Sequence, residues 1–149
     1  MPVAAPGLVL LDSVTQVGFG HAGQLVVTGS HGGASVVPYA RAVRAWMYVF
    51  NDAGVGREGA GIAALGLLDA DGIAAVTVAH TSARIGEALD TWERGVVSHA
   101  NSAAAALGLA VGLTLRGQVD CGQGPGASTK LGCNFLRYVR PGYPSSPLG

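Results

Sequence analysis

The side chains able to do chemistry gather in three short clusters, each standing where an apolar run stops. They are Gly29-Ser30-His31-Gly32-Gly33, Asn51-Asp52-Ala53-Gly54-Val55-Gly56 and His80-Thr81-Ser82-Ala83-Arg84. In the first, glycines between a strand and a helix let backbone N–H groups turn inward, and a helix N-terminus adds partial positive charge. That combination suits a carboxylate, a phosphate or an oxyanion. Gly29, Gly32 and Gly33 are therefore candidate substrate contacts, Ser30 a candidate nucleophile and His31 a candidate acid/base. Adjacent side chains rarely aim at each other, so a base for Ser30 must come from elsewhere. The order also departs from the nucleophile elbow G-x-S-x-G. The bland alternative is a tight turn with an exposed His31.

The second cluster contains a formal G-x-G-x-x-G at Gly54, Gly56 and Gly59, placed between a strand and a helix as a dinucleotide fingerprint requires. Asp52 would bring negative charge to a pyrophosphate there. At the end of the next strand, where that fingerprint expects an acidic residue, stands His80. The reading preferred is that Asn51 and Gly54 contact substrate, and that Asp52 moves a proton or holds a histidine in one tautomer. Helix capping by Asp52 is the bland alternative. In the third cluster His80 is a candidate acid/base and Ser82 a ligand or cap. Arg84 is the natural bidentate partner of an anion. Glu87, three residues on, offers Arg84 an ordinary surface ion pair instead.

Outside the clusters, Ser98, His99 and Asn101 stand out among Ala and Val, and Asp12, Ser13 and Thr15 close the first apolar run. No H-x-x-x-H or H-x-H spacing occurs, so no metal is expected. Cys121 and Cys133, with eleven residues between them, form no zinc pair. They are not expected to form a disulfide in a reducing compartment.

The elements that must position these clusters follow from periodicity. Gly7–Val14, Gln24–Thr28, Ala45–Phe50, Ile73–Ala79 and Leu109–Leu115 read as strands. Residues 34–44, 57–68 and 85–108 read as helices, the first starting near Pro38 and the last jointed at Gly95. Alternating strands and helices predict an α/β sandwich: a mostly parallel sheet of about five strands with helices on both faces. The first two strands are close enough in sequence for a hairpin or β-corner, which leaves open an antiparallel first strand. In a parallel sheet the carboxyl ends of the strands share one edge, where ligands bind. The three clusters are thus predicted to meet.

The 149 residues suit one domain, expected at 1–117, with a Gly/Pro-rich tail at 118–149 packing on a neighbouring subunit or partly ordered. Charged residues make up 12% of the chain, against a norm of about 25%. So little charge implies surface buried against further copies, and a homo-oligomer is expected. Formal net charge is zero with no basic stripe, which argues against nucleic acid. The longest apolar run, Ala103–Leu115, falls short of the roughly 20 residues that span a bilayer, and no basic residue precedes the apolar N-terminus. A cytoplasmic location with no membrane contact is the expectation.

The function expected is an enzyme acting on a small carboxylate-bearing molecule without a cofactor, by acid/base or nucleophilic chemistry. Hydrolysis is favoured over a lyase or isomerase step, because Ser30 lies in an oxyanion-friendly loop. A non-catalytic subunit or binding module, and a dinucleotide-binding protein using Gly54, Gly56 and Gly59, are the alternatives.

Overall fold

The structure, a computed structural model, describes residues 7–119. Five strands form one sheet in the order β1 (Leu8–Leu11), β2 (Leu25–His31), β3 (Met47–Asn51), β4 (Ala75–Val78) and β5 (Val97–Ala100). The first four run parallel, and β5 pairs antiparallel with β4. The odd strand is thus the last and not the first. A parallel β1–β2 pair needs a crossover of about a dozen residues or more. Residues 12–24 supply it through two 3-10 turns, Val14–Gln16 and Phe19–His21.

Side chains alternate across the strands and build a core on each face. Val26, Tyr48, Phe50 and Ala75 face α1 (Val37–Ala42) and α2 (Ala63–Ala70), packing on Val37, Ala40, Leu65 and Leu68. Leu25, Val27, Met47, Val49, Val76 and Val78 face the other way. They pack on Trp92 of α3 (Ala88–Arg94), Ala104 of α4 (Ser102–Ala106), and Leu115 and Val119 of α5 (Leu115–Val119). Tyr48 stacks on Phe50, and its hydroxyl donates to the Val43 carbonyl at 2.5 Å. Burial pushes that phenol up to about 12.

Pro38 sits in the first turn of α1, where a missing N–H costs nothing. The helix expected over residues 57–68 is broken. Glu58 and Gly59 have positive φ inside the 3-10 segment Arg57–Ile62, so the regular helix starts only at Ala63. The long helix expected over residues 85–108 is three elements, α3, β5 and α4. Gly95 ends α3 by turning to extended backbone, and a side chain there would strike the Thr91 carbonyl at 2.4 Å and Val78 at 2.7 Å. The strand expected at Leu109–Leu115 is absent among the described residues; one bridge, Val96 to Thr114, stands there. Gly108 and Gly112, both at positive φ, bend that run, and Leu115 opens α5. That helix includes residues 118 and 119, the first two of the expected tail. The rest of the tail from residue 120, with Cys121 and Cys133, lies outside the described residues. Among the described residues no helix is long and apolar enough to cross a membrane.

Candidate functional site

Because β1 to β4 are parallel, Asp12, His31, Asn51-Asp52 and His80 come to one edge of the sheet. Backbone bonds hold the three loops side by side. The Gly32 N–H donates to the Asn51 carbonyl at 2.9 Å, and the Asp52 N–H donates to the Val78 carbonyl at 2.9 Å. Asn51 ties the second loop to the third. It is fully buried, with Nδ2 donating to the Ala83 carbonyl and Oδ1 accepting from the Ala53 N–H.

Asp52 is the centre of this edge. Its side chain is 6% exposed, and Oδ1 accepts from the Gly54 N–H at 2.8 Å and the His80 N–H at 3.0 Å. His80 Nδ1 lies 3.3 Å from the same oxygen, while the imidazole is 55% exposed. Burial works to raise the Asp52 pKa. Hydrogen bonds from the Gly54 N–H, the Ser98 hydroxyl and the His80 N–H and ring outweigh it and hold the carboxyl below its ordinary value. Asp52 is therefore an anion at neutral pH. With Nδ1–H turned to the carboxylate, Nε2 of His80 becomes a proton acceptor open to solvent. The ring lies over Gly54, whose φ of +78° suits glycine; a Cβ there would meet the imidazole at 3.6 Å.

The other predicted site residues divide by what they already hold. Ser30 Oγ accepts from the Val14 N–H at 2.9 Å and anchors the turn after β1. His31 Nδ1 accepts from the Gly33 N–H at 3.0 Å, which leaves the ring proton on Nε2. Among the described residues no hydrogen bond joins His31 to Ser30, Asp52 or His80. The amides of Gly32 and Gly33 are engaged within the fold, so neither stands ready for an oxyanion. The three glycines of the first loop serve close packing instead. A Cβ at Gly29 would lie 2.5 Å from the Glu87 nitrogen, one at Gly32 would lie 2.8 Å from the Gly61 carbonyl, and one at Gly33 would meet the His31 ring at 2.8 Å. Ser82 donates to the Ala79 carbonyl and accepts from the Val96 N–H, fastening the third loop to the approach of β5. Arg84 is 80% exposed, with Glu87 at 3.8 Å. Asp12 accepts from the Ala88 N–H at the start of α3, and Ser13 caps the turn Val14–Gln16.

The formal G-x-G-x-x-G does not open a helix. Gly54, Gly56 and Gly59 have φ of +78°, +73° and +74° in an irregular loop, and α2 begins four residues after the last of them. Ala53, Val55 and Glu58 also take positive φ. For Val55, a β-branched residue, that conformation is strained.

Three polar groups near the centre belong to residues the sequence pattern did not assign to it. Thr77 of β4 is fully buried, and its hydroxyl lies 3.0 Å from Ser98 Oγ and 3.4 Å from His99 Nδ1. The signal was present: a hydroxyl inside an apolar central strand needs a partner. Ser98 and His99 looked helical, and only strand β5 brings them beside β4. Among the described residues no cluster of three metal-ligating side chains occurs. No protein-family model, no curated protein and no solved structure matches the chain.

Proposed function

We propose that the protein is an enzyme acting on a small carboxylate-bearing molecule by cofactor-independent acid/base chemistry, with His80 as the group that moves the proton. The observation carrying this reading is the pairing of an exposed imidazole with a buried, ionised carboxylate at the sheet edge. Asp52 orients the ring and stabilises the imidazolium formed when Nε2 takes a proton. Hydrolysis is the reaction class we favour: His80 draws a proton from water as the water oxygen attacks an acyl carbon, then returns that proton to the alkoxide or amine that departs as the C–O or C–N bond breaks. Ser30 is not the nucleophile in this scheme, since its oxygen accepts from the Val14 N–H and, among the described residues, no hydrogen bond joins it to an imidazole. Arg84 supports the choice of an anionic substrate. Its ion pair with Glu87 is long and exposed, worth about 0–1 kcal/mol, and gives way readily to a ligand carboxylate. Assembly of copies belongs to the same proposal, supported by the low charge content and by exposed Phe19, Ile85 and Val111.

The test is a panel of carboxylate-bearing esters, lactones and amides followed by proton NMR with wild type and His80→Gln. Turnover by wild type that disappears in H80Q supports the reading. Wild type inert across the panel, or H80Q as active as wild type, overturns it.

A further inference from the structure

His31 and His80 carry their ring protons on opposite nitrogens, and in both the fold decides which. The Gly33 N–H can only donate, so Nδ1 of His31, 3.0 Å away, must accept, and the neutral ring has its proton on Nε2. A carboxylate can only accept, so Nδ1 of His80, 3.3 Å from Asp52 Oδ1, carries the proton and leaves Nε2 bare. Both residues are exposed, one offering a donor and the other an acceptor. They also border one loop. His31 pairs with Asn51, and Asn51 pairs with Val78, so the ends of β2, β3 and β4 stand level. Strand spacing of about 4.8 Å sets β2 and β4 roughly 10 Å apart, with β3 between them. A Cβ at Gly33 would stand 2.8 Å from the His31 ring and 3.2 Å from the Ala60 carbonyl, and a Cβ at Gly54 would stand 3.6 Å from the His80 ring. Gly54 and Ala60 both belong to the segment joining β3 to α2, so each ring stands beside one end of it. The amides of this edge are already spent: Gly32 and Ala53 on Asn51, Gly33 on His31, Gly54 and His80 on Asp52. Attack of water on an acyl carbon still calls for a donor where negative charge develops.

We infer that His31 is a second catalytic residue, whose Nε2–H hydrogen-bonds to the substrate's carbonyl oxygen while His80 acts on the water. The inference rests on the reading of His80 and Asp52 given above. As the water oxygen bonds to the acyl carbon, the C=O electron pair moves onto the carbonyl oxygen, and the Nε2–H of His31 meets that oxyanion. The pair returns to the carbon as the C–O or C–N bond breaks. The proton transferred is the one His80 takes from water and gives to the leaving group; His31 keeps its own. The bond from the Gly33 N–H holds His31 in the donor form throughout. The first loop thus serves an oxyanion through a side chain, its glycine amides being engaged elsewhere.

Three substitutions in the full chain separate this role from a structural one, read as kcat and KM on whichever ester, lactone or amide wild type turns over, with urea midpoints alongside. His31→Asn keeps an acceptor for the Gly33 N–H, but its amide nitrogen ends short of the Nε2 position. It should stay as stable as wild type and lose about 10²–10³-fold in kcat, the usual cost of one oxyanion donor, with KM little changed. His31→Ala should lose as much; if it fails to fold, H31N carries the decision. His31→Gln carries an amide N–H out to where Nε2 stands, and should recover about tenfold or more of the lost kcat. A His31 that only closes the first loop would leave H31N as active as wild type. That result, or an H31Q as slow as H31N, overturns the inference. Long-range proton–nitrogen correlation spectra, with the rings neutral, should show Nε2–H at His31 and Nδ1–H at His80; Nδ1–H at His31 overturns the inference whatever the turnover. Turnover that needs His80 but is untouched in H31N removes the oxyanion donor alone, whereas a wild type inert across the panel removes the catalytic reading and this inference with it.

Discussion

The backbone N–H and the ring Nδ1 of His80 converge on a single oxygen of Asp52, at 3.0 and 3.3 Å. One residue thus grips the carboxylate twice, and the second grip fixes the ring. The arrangement works only if Asp52 stays ionised, because a protonated oxygen would lose the charge-assisted part of each bond.

Asp52 should therefore leave a signature in acid. Its pKa in the folded chain lies below the unfolded value of 3.8, so the unfolded state takes up the proton first as pH falls. Its contribution to stability is complete above that unfolded value and is lost as pH drops through the lower folded one. Asn at position 52 can still accept from the Gly54 and His80 N–H groups. Asp52→Asn should cost about 1–2 kcal/mol at neutral pH, the margin by which hydrogen bonds to a charged acceptor exceed those to a neutral one. Below the folded pKa the two proteins should converge. Urea midpoints from pH 7 down to 2 check this; a gap that stays constant over that range would show that Asp52 is not ionised in the fold.

Ser30 and His80 should separate cleanly. Ser30→Ala removes one acceptor from the Val14 N–H and should lower stability by about 1 kcal/mol. Turnover in S30A should stay within a few-fold of wild type, while His80→Gln loses about 10²-fold or more, the usual share of a general acid–base. A burst of bound acyl product that S30A abolishes would restore Ser30 as the nucleophile.

Much of the fold was legible because the buried strands announce themselves. Val26-Val27, Tyr48-Val49-Phe50 and Ala75-Val76-Thr77-Val78 are short apolar runs ended by glycine or polar residues, as strands covered on both faces are. The loops that follow them were legible for the same reason, and parallel order then puts Asp52 and His80 on one edge. Strand β5 was not legible. Val97-Ser98-His99-Ala100 is four residues long, half-buried and bulged, and its neighbours Ala103 to Ala106 continue an apolar spacing that also fits a helix. The glycines of the first loop were legible as a loop but not as to purpose. Whether a glycine frees an amide or admits a neighbouring backbone depends on residues far along the chain, here Gly61 against Gly32 and Glu87 against Gly29. Contact between His80 and Asp52, 28 residues apart, is likewise a product of strand adjacency.

Two glycines close together in sequence should respond in opposite ways to one methyl group. A Cβ at Gly61 would stand 2.0 Å from the Asp52 carbonyl oxygen and 3.0 Å from that of Val55, both backbone atoms. Gly61→Ala must push the Asp52 loop aside and should cost about 3 kcal/mol or more, the upper end for overpacking. Gly66 lies inside α2 with nothing within 4 Å of a Cβ. Gly66→Ala should gain about 1 kcal/mol from helix propensity. Denaturant midpoints with unchanged m-values are the readout. Equal effects at the two positions would contradict the packing described for residue 61.

The heaviest single loss should come from Asn101, a residue remote from the catalytic proposal. Its Nδ2 donates to the carbonyls of Leu65 and Ile73 at 3.1 and 2.9 Å. Its Oδ1 accepts from the N–H groups of Ala75 and Ala104 at 3.1 and 3.0 Å. The amide thus joins α2, β4 and the start of α4 with all its protons and both oxygen lone pairs in use. Asn101→Ala takes one hydrogen-bond partner from each of four backbone groups at a buried position. Each buried unsatisfied group costs about 1–3 kcal/mol before water or relaxation repairs any of them, so a loss of roughly 4 kcal/mol is expected. Aspartate separates the two roles of this residue. As a helix N-cap, Asp is about as good as Asn. As a bridge it sets a carboxylate oxygen against the carbonyls of Leu65 and Ile73, where a donor is needed. Asn101→Asp should therefore destabilise at neutral pH nearly as much as alanine, and recover part of the loss in acid, where the protonated carboxyl can donate again. An N101D protein as stable as wild type at pH 7 would reduce Asn101 to a simple cap on α4.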